Sequence, residues 1–124
     1  MNAHNLARMA YAEAATPIRT DRGTEFEAFA RVTRTLKSAE AKGKPGFKEL
    51  AQAVLENRRL WTILAADVAN PENGLPDDLR ARIFYLAEFT DQHSSQVLSG
   101  TASPEILVDI NTAIMRGLGA GGAR

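Results

Sequence analysis

The side chains that most often do chemistry are almost missing from this chain. Among 124 residues there are two histidines, His4 and His93, and no cysteine. A catalytic triad needs a nucleophile, an imidazole and an orienting acid brought together, and a histidine metal centre needs several imidazoles. Neither can be assembled from one internal histidine. Asp91 and His93 are two apart and do not face each other on a helix. Asp77 and Asp78 form a carboxylate pair by sequence, but adjacent helical residues point about 100° apart. Their place at a helix start fits the positive end of the helix dipole. The GAGG run at Gly119–Gly122 follows no strand, so it is not a phosphate cradle. The expectation is a protein that is not an enzyme and carries no cofactor and no metal.

What remains is chemistry of contact. Trp61 is the only tryptophan, and Asn57, Arg58 and Arg59 precede it. Core packing is the ordinary role for a tryptophan on a helical stripe; an interface anchor is the sharper one. Arg58, Arg59, Arg80 and Arg82 stand on two successive predicted helices and form either a basic patch or a solvated face paired with Glu56, Asp77 and Glu88. Between Arg31 and Lys48 there are six Lys or Arg against one Glu, Glu40. That run is either a solubilising helix end or a surface for phosphates or an acidic partner. Phe84, Tyr85 and Phe89 cannot all face inward if Ile83 and Leu86 do, so one or two should lie at a rim, where a partner helix can meet them. Asn111 sits inside the last predicted helix, where asparagine is mildly unfavourable, and is expected to cap or bridge to a neighbour.

Five amphipathic segments carry these residues. The first is predicted over about Ala3–Ala15, with Leu6, Met9 and Ala10 on a thin stripe, and Pro17 ends it. The second begins near Thr20 or Asp21 and repeats Phe26, Phe29, Ala30, Thr33 and Leu36; Gly43, Pro45 and Gly46 stop it. The third spans about Phe47–Ala69, with Phe47, Leu50, Ala51, Val54, Leu55, Trp61, Leu64, Ala65 and Val68 on a stripe that Arg58 interrupts. After Asn70–Gly74 the fourth starts with Pro76 at its first position and directs Leu79, Ile83, Leu86, Ala87 and Thr90 inward, ending near Gly100. Ser103-Pro104-Glu105 announces the fifth, with Ile106, Leu107, Ile110, Ala113, Ile114 and Leu118 on its stripe. The glycines after Gly117 mark a flexible tail from about 119 to 124. No segment alternates with period two. The expected architecture is an all-α, single-domain bundle of four to five helices over residues 1–124.

The totals agree. Apolar residues make up 44% and charged residues 24%, and 15 basic residues balance 15 acidic ones. Zero net charge argues against a dedicated nucleic-acid binder. No run approaches the length of a membrane span, and the start of the chain lacks a signal-peptide core, which together with the missing cysteine predicts a cytoplasmic protein that meets no membrane.

Three stretches carry a resemblance: NLARMAYAEAATPIRTDRGTEFEAFARVTRTL from Asn5 to Leu36, NRRLWTILAADVANPENGLPDDLRARIFYLAEFT from Asn57 to Thr90, and ILVDINTAIMRGL from Ile106 to Leu118. In order and content they resemble the FlaF family of flagellar biosynthesis regulators of alphaproteobacteria. The resemblance implies a small cytoplasmic, non-enzymatic protein needed for flagellin synthesis and secretion, with a chaperone-like role towards unassembled flagellin as the preferred reading. It also implies action alongside FlbT, a regulator of flagellin mRNA, so the alternative is post-transcriptional control of that mRNA, directly or through FlbT. The characteristic family positions match Asn57, Arg58, Arg59, Trp61, Arg80, Arg82, Tyr85 and Asn111, which are the candidate partner-binding residues.

Overall fold

A computed structural model describes residues 22–122, with side chains over 26–117. The helix expected over Ala3–Ala15, and the cap expected at Thr20 or Asp21, lie outside the described residues. Four α-helices follow, with no strand among the described residues: α1 (Arg22–Ala41), α2 (Phe47–Ala69), α3 (Asp77–Leu98) and α4 (Glu105–Gly122). A 3-10 turn, Lys44–Gly46, joins the first two.

Each boundary has a local cause. α1 stops where Gly43 takes φ 66°, a left-handed conformation that costs glycine little. Gly46 is needed for a different reason. A Cβ there would lie 2.6 Å from the Lys42 Cβ and 2.9 Å from the Ala39 carbonyl oxygen, so only glycine lets α2 start this close to α1. α2 ends at Asn70, which is extended (φ −73°, ψ 126°), as the residue before a proline prefers. The connector then folds on its own asparagines. Asn70 Oδ1 accepts from the Glu72 amide at 2.9 Å, and Asn73 Oδ1 accepts from the Leu75 amide at 3.1 Å. Pro76 is the N-cap of α3 rather than its first helical residue, one position from expectation; its carbonyl accepts the Arg80 amide. α3 closes on a Schellman-type turn, with the Thr101 amide donating to the Gln96 carbonyl. The Ser103 hydroxyl accepts from the Glu105 amide at 3.0 Å and opens α4. α4 continues to Gly122, beyond the point where a tail was expected. Glycine weakens a helix by about 1 kcal/mol per residue but does not break it as proline does.

α1 lies between α2 and α4; α3 packs on α2 and approaches α4 much less. The interior divides in two. Val32, Leu36, Ala53, Val54, Val97, Leu107 and Val108 form one apolar cluster. Phe29, Trp61, Leu64, Val68, Ile83 and Ala87 form the other. On two helices buried polar residues sit in sequence between the two sets, Asn57 on α2 and Thr90 and Ser94 on α3, and on α4 the buried Asn111 follows Leu107 and Val108. Thr33 of α1 joins this polar layer. The sequence stripe carried Thr33 and Thr90 inward but left out Asn57 and Ser94. It also placed Phe47, Leu55, Leu79 and Ile106 inward, and these are exposed. No helix of the described residues is long and apolar enough to cross a membrane.

Candidate functional site: the α2–α3 face

The eight candidate residues separate into three groups. Asn57, Trp61 and Asn111 are interior. Trp61 is 2% exposed and its indole N–H donates to Asn111 Oδ1 at 2.9 Å. The Asn111 amide donates to Asn57 Oδ1 at 2.8 Å and to Thr33 Oγ1 at 3.1 Å. One asparagine thereby ties α1, α2 and α4 together, and the bridging role expected of Asn111 is what the geometry displays. Asn57 Nδ2 is buried with no hydrogen-bond partner among the described residues. Phe29 meets the Trp61 ring edge-on, centroids 5.5 Å apart at 82°. These polar atoms face one another, so a partner touches them only if the bundle opens.

Arg58 and Arg80 form the second group and pin the α2–α3 hairpin. Arg58 does not sit in the apolar stripe. Its Nε donates to Asp91 Oδ1 at 3.0 Å, and its Nη2 donates to Ser95 Oγ at 2.9 Å and the Asp91 carbonyl at 3.3 Å. Arg80 reaches back to the end of α2, where Nε donates to the Val68 carbonyl at 2.7 Å and Nη2 to the Asn70 carbonyl at 3.1 Å. These carbonyls lie at the helix end where no intrahelical donor remains, so Arg80 is a side-chain cap. Asp77 holds the same guanidinium at 3.2 Å. Arg58 and Arg80 serve points ten residues apart on α2, about 15 Å of helix. The four arginines therefore do not make one basic patch. Arg80→Ala should cost about 1–2 kcal/mol, from the stranded Val68 carbonyl and the lost charge at the α2 C-terminus, while the Asn70 carbonyl keeps the Asn73 amide at 2.9 Å. Urea denaturation followed by circular dichroism measures it, and an unchanged midpoint would contradict the capping role.

Arg59, Arg82 and Tyr85 are the third group, and all are exposed. Arg82 has only a 3.8 Å ion pair with Asp78, both about three-quarters exposed, which contributes little. Tyr85 is 66% exposed and Phe84 42%. They are the rim aromatics that counting inward positions required.

Beside them, between α2 and α3, lies a cleft of about 370 Å³. Ala65 and Ala87 face it with Trp61, Phe84 forms a wall, and Arg58, Thr62, Glu88 and Asp91 stand at the rim. Two alanines on adjoining helices leave the space that larger side chains would fill. The sequence pointed to Trp61, Arg58 and Phe84 but not to this cavity, which depends on which α2 residue lies opposite which α3 residue.

The basic run from Arg31 to Lys48 is partly answered by α2. Arg31 pairs with Glu56 at 3.7 Å, and Lys42 with Glu49 at 3.0 Å. The Lys42 hydrogen bond holds the Glu49 carboxyl below its ordinary range. No group of three metal-ligating side chains occurs among the described residues.

No curated protein and no solved structure matches the chain. A family model described as flagellar protein FlaF matches residues 7–118, which takes in the polar layer, both hairpin arginines and the cleft. The chain belongs to the FlaF family of flagellar proteins.

Proposed function

We propose that this protein promotes flagellin synthesis and secretion by binding unassembled flagellin as a chaperone, with the α2–α3 face as the receiving surface. One observation carries the reading: exposed Phe84 walls a cleft, with exposed Tyr85 next to it on α3, on a hairpin pinned at the middle of α2 by Arg58 and at its turn by Arg80. A held surface with aromatic anchors suits an amphipathic helix, which presents apolar residues every three or four positions. Family membership supplies the flagellar setting. On this reading the site acts by contact.

Control of flagellin mRNA is the weaker reading on this surface. The ion pairs of Arg31 and Lys42 with α2 carboxylates reduce the positive field that phosphate binding needs. An adaptor that engages only FlbT would use the same exposed aromatics, so the test carries both partners.

The test is size-exclusion chromatography with light scattering of the full chain mixed with monomeric flagellin, and separately with FlbT, from the same source. A flagellin complex is expected, lost in Phe84→Ser/Tyr85→Ser while helix content stays unchanged. A complex with FlbT alone would overturn the chaperone reading.

A further inference from the structure

The cleft has a shape and a charge, and together they restrict what enters it. We propose that the α2–α3 cleft is a socket for one large apolar side chain of a partner helix, with a lysine or arginine one turn away on that helix pairing with Glu88. This rests on the reading that the chain binds a flagellin helix, and it specifies the residues that helix must present.

The volume, about 370 Å³, lies at the small end of ligand cavities and exceeds the needs of a single leucine, methionine or phenylalanine side chain. Its apolar lining is Ala65, Ala87, Trp61 and Phe84. An aliphatic or aromatic group entering there displaces water from apolar surface and meets no unpaired donor of the indole, whose N–H is given to Asn111.

The rim sets the charge. Arg58 is occupied by Asp91 and Ser95. Glu88 has no hydrogen-bond or ion-pair partner among the described residues and adjoins Ala87 on α3. One cation against two carboxylates leaves the mouth with a single negative charge, carried by Glu88. A cation on the partner complements it, whereas an acidic residue at the same place meets repulsion. On a helix, positions i and i+4 lie about 6 Å apart on one face, so one turn can supply both the plug and the cation.

The experiment titrates monomeric flagellin into the full chain by calorimetry, using wild type, Ala65→Leu, Thr62→Phe and Glu88→Lys. Ala65 is partly exposed and Thr62 lies on the rim, so one variant takes up apolar space inside the cavity and the other narrows its mouth from outside; circular dichroism and the urea midpoint check that each is folded. Both should weaken binding by about tenfold or more, the loss expected when a central anchor is excluded. Glu88→Lys should weaken it several-fold. A flagellin variant with one terminal-helix Lys or Arg changed to Glu should restore binding to Glu88→Lys. If wild type binds and folded Ala65→Leu and Thr62→Phe bind equally well, the socket is wrong and the chaperone reading stands. If Glu88→Lys binds as wild type does, the basic neighbour is wrong. If wild type forms no complex, the chaperone reading fails and the socket fails with it.

Discussion

Trp61→Ala should lower the unfolding free energy by about 3–5 kcal/mol, the cost of removing a large aromatic from a packed interior. Two losses combine. The ring leaves a cavity against Phe29 and the aliphatic residues of its cluster. The indole N–H no longer reaches Asn111 Oδ1, which stays buried without that donor. A small domain has about 5–15 kcal/mol in total, so the variant should unfold at much lower urea. Trp61→Phe separates the terms. It keeps most of the ring and loses the donor, so it should cost about 1–3 kcal/mol. Circular dichroism must follow both variants, since Trp61 is the only indole. In the wild type, its emission should be blue-shifted when folded and move red on unfolding. A Trp61→Ala midpoint close to that of wild type would mean the side chain is not a core element. Because Trp61 also lines the cleft, a folded variant that still binds a partner would place the anchor elsewhere on the hairpin.

What could be read from the sequence depended on how local its cause was. α2 was expected over Phe47–Ala69 and is found there. Its ends are written in neighbours: Gly46 before it and Asn70-Pro71 after it. The aromatic rim of α3 was also legible, because five large residues on two turns exceed what one inward face holds. The phase of α2 was not. The apolar stripe put Arg58 on its face, whereas the helix turns Asn57 inward and sends Arg58 to α3. That choice is made by Asn111, Asp91 and Ser95, more than thirty residues away, and no local pattern registers them. The cleft was hidden for the same reason. Ala65 and Ala87 are ordinary helix residues until folding brings them to one cavity. The basic Arg31–Lys48 run stays open between two roles in the sequence because its window stops one residue short of Glu49 and does not reach Glu56; folding brings these two carboxylates of α2 to Lys42, just past the end of α1, and to Arg31 of α1.

The polar layer predicts an asymmetry between its two asparagines. Asn111→Leu keeps the branched four-atom skeleton of the side chain but removes three hydrogen bonds, leaving the Trp61 N–H and Asn57 Oδ1 buried and unpaired. At about 1–3 kcal/mol per stranded group, the expected loss is about 3–4 kcal/mol. Asn57→Leu should cost less, about 1–2 kcal/mol, because it strands one Asn111 N–H and also removes its own unpartnered Nδ2. The double variant should be more stable than the sum of the singles implies, by about 1–2 kcal/mol, since each single leaves behind a group that the other replacement deletes. Urea denaturation of the four proteins closes this cycle. Additivity within about 0.5 kcal/mol would mean that the two side chains act independently and that the layer is not a network. Coupling would give the layer a definite role. Apolar side chains slide past one another at little cost, whereas an asparagine that must meet a threonine, an asparagine and an indole fixes the register of α1, α2 and α4. α2 is the helix that carries Arg58, Trp61 and Ala65 to the cleft. Its rotation by one residue would bury Arg58 and close the cavity. On this account the loss in Asn111→Leu extends beyond stability: a residue fully buried on the far side of Trp61 holds in place the surface a partner would use.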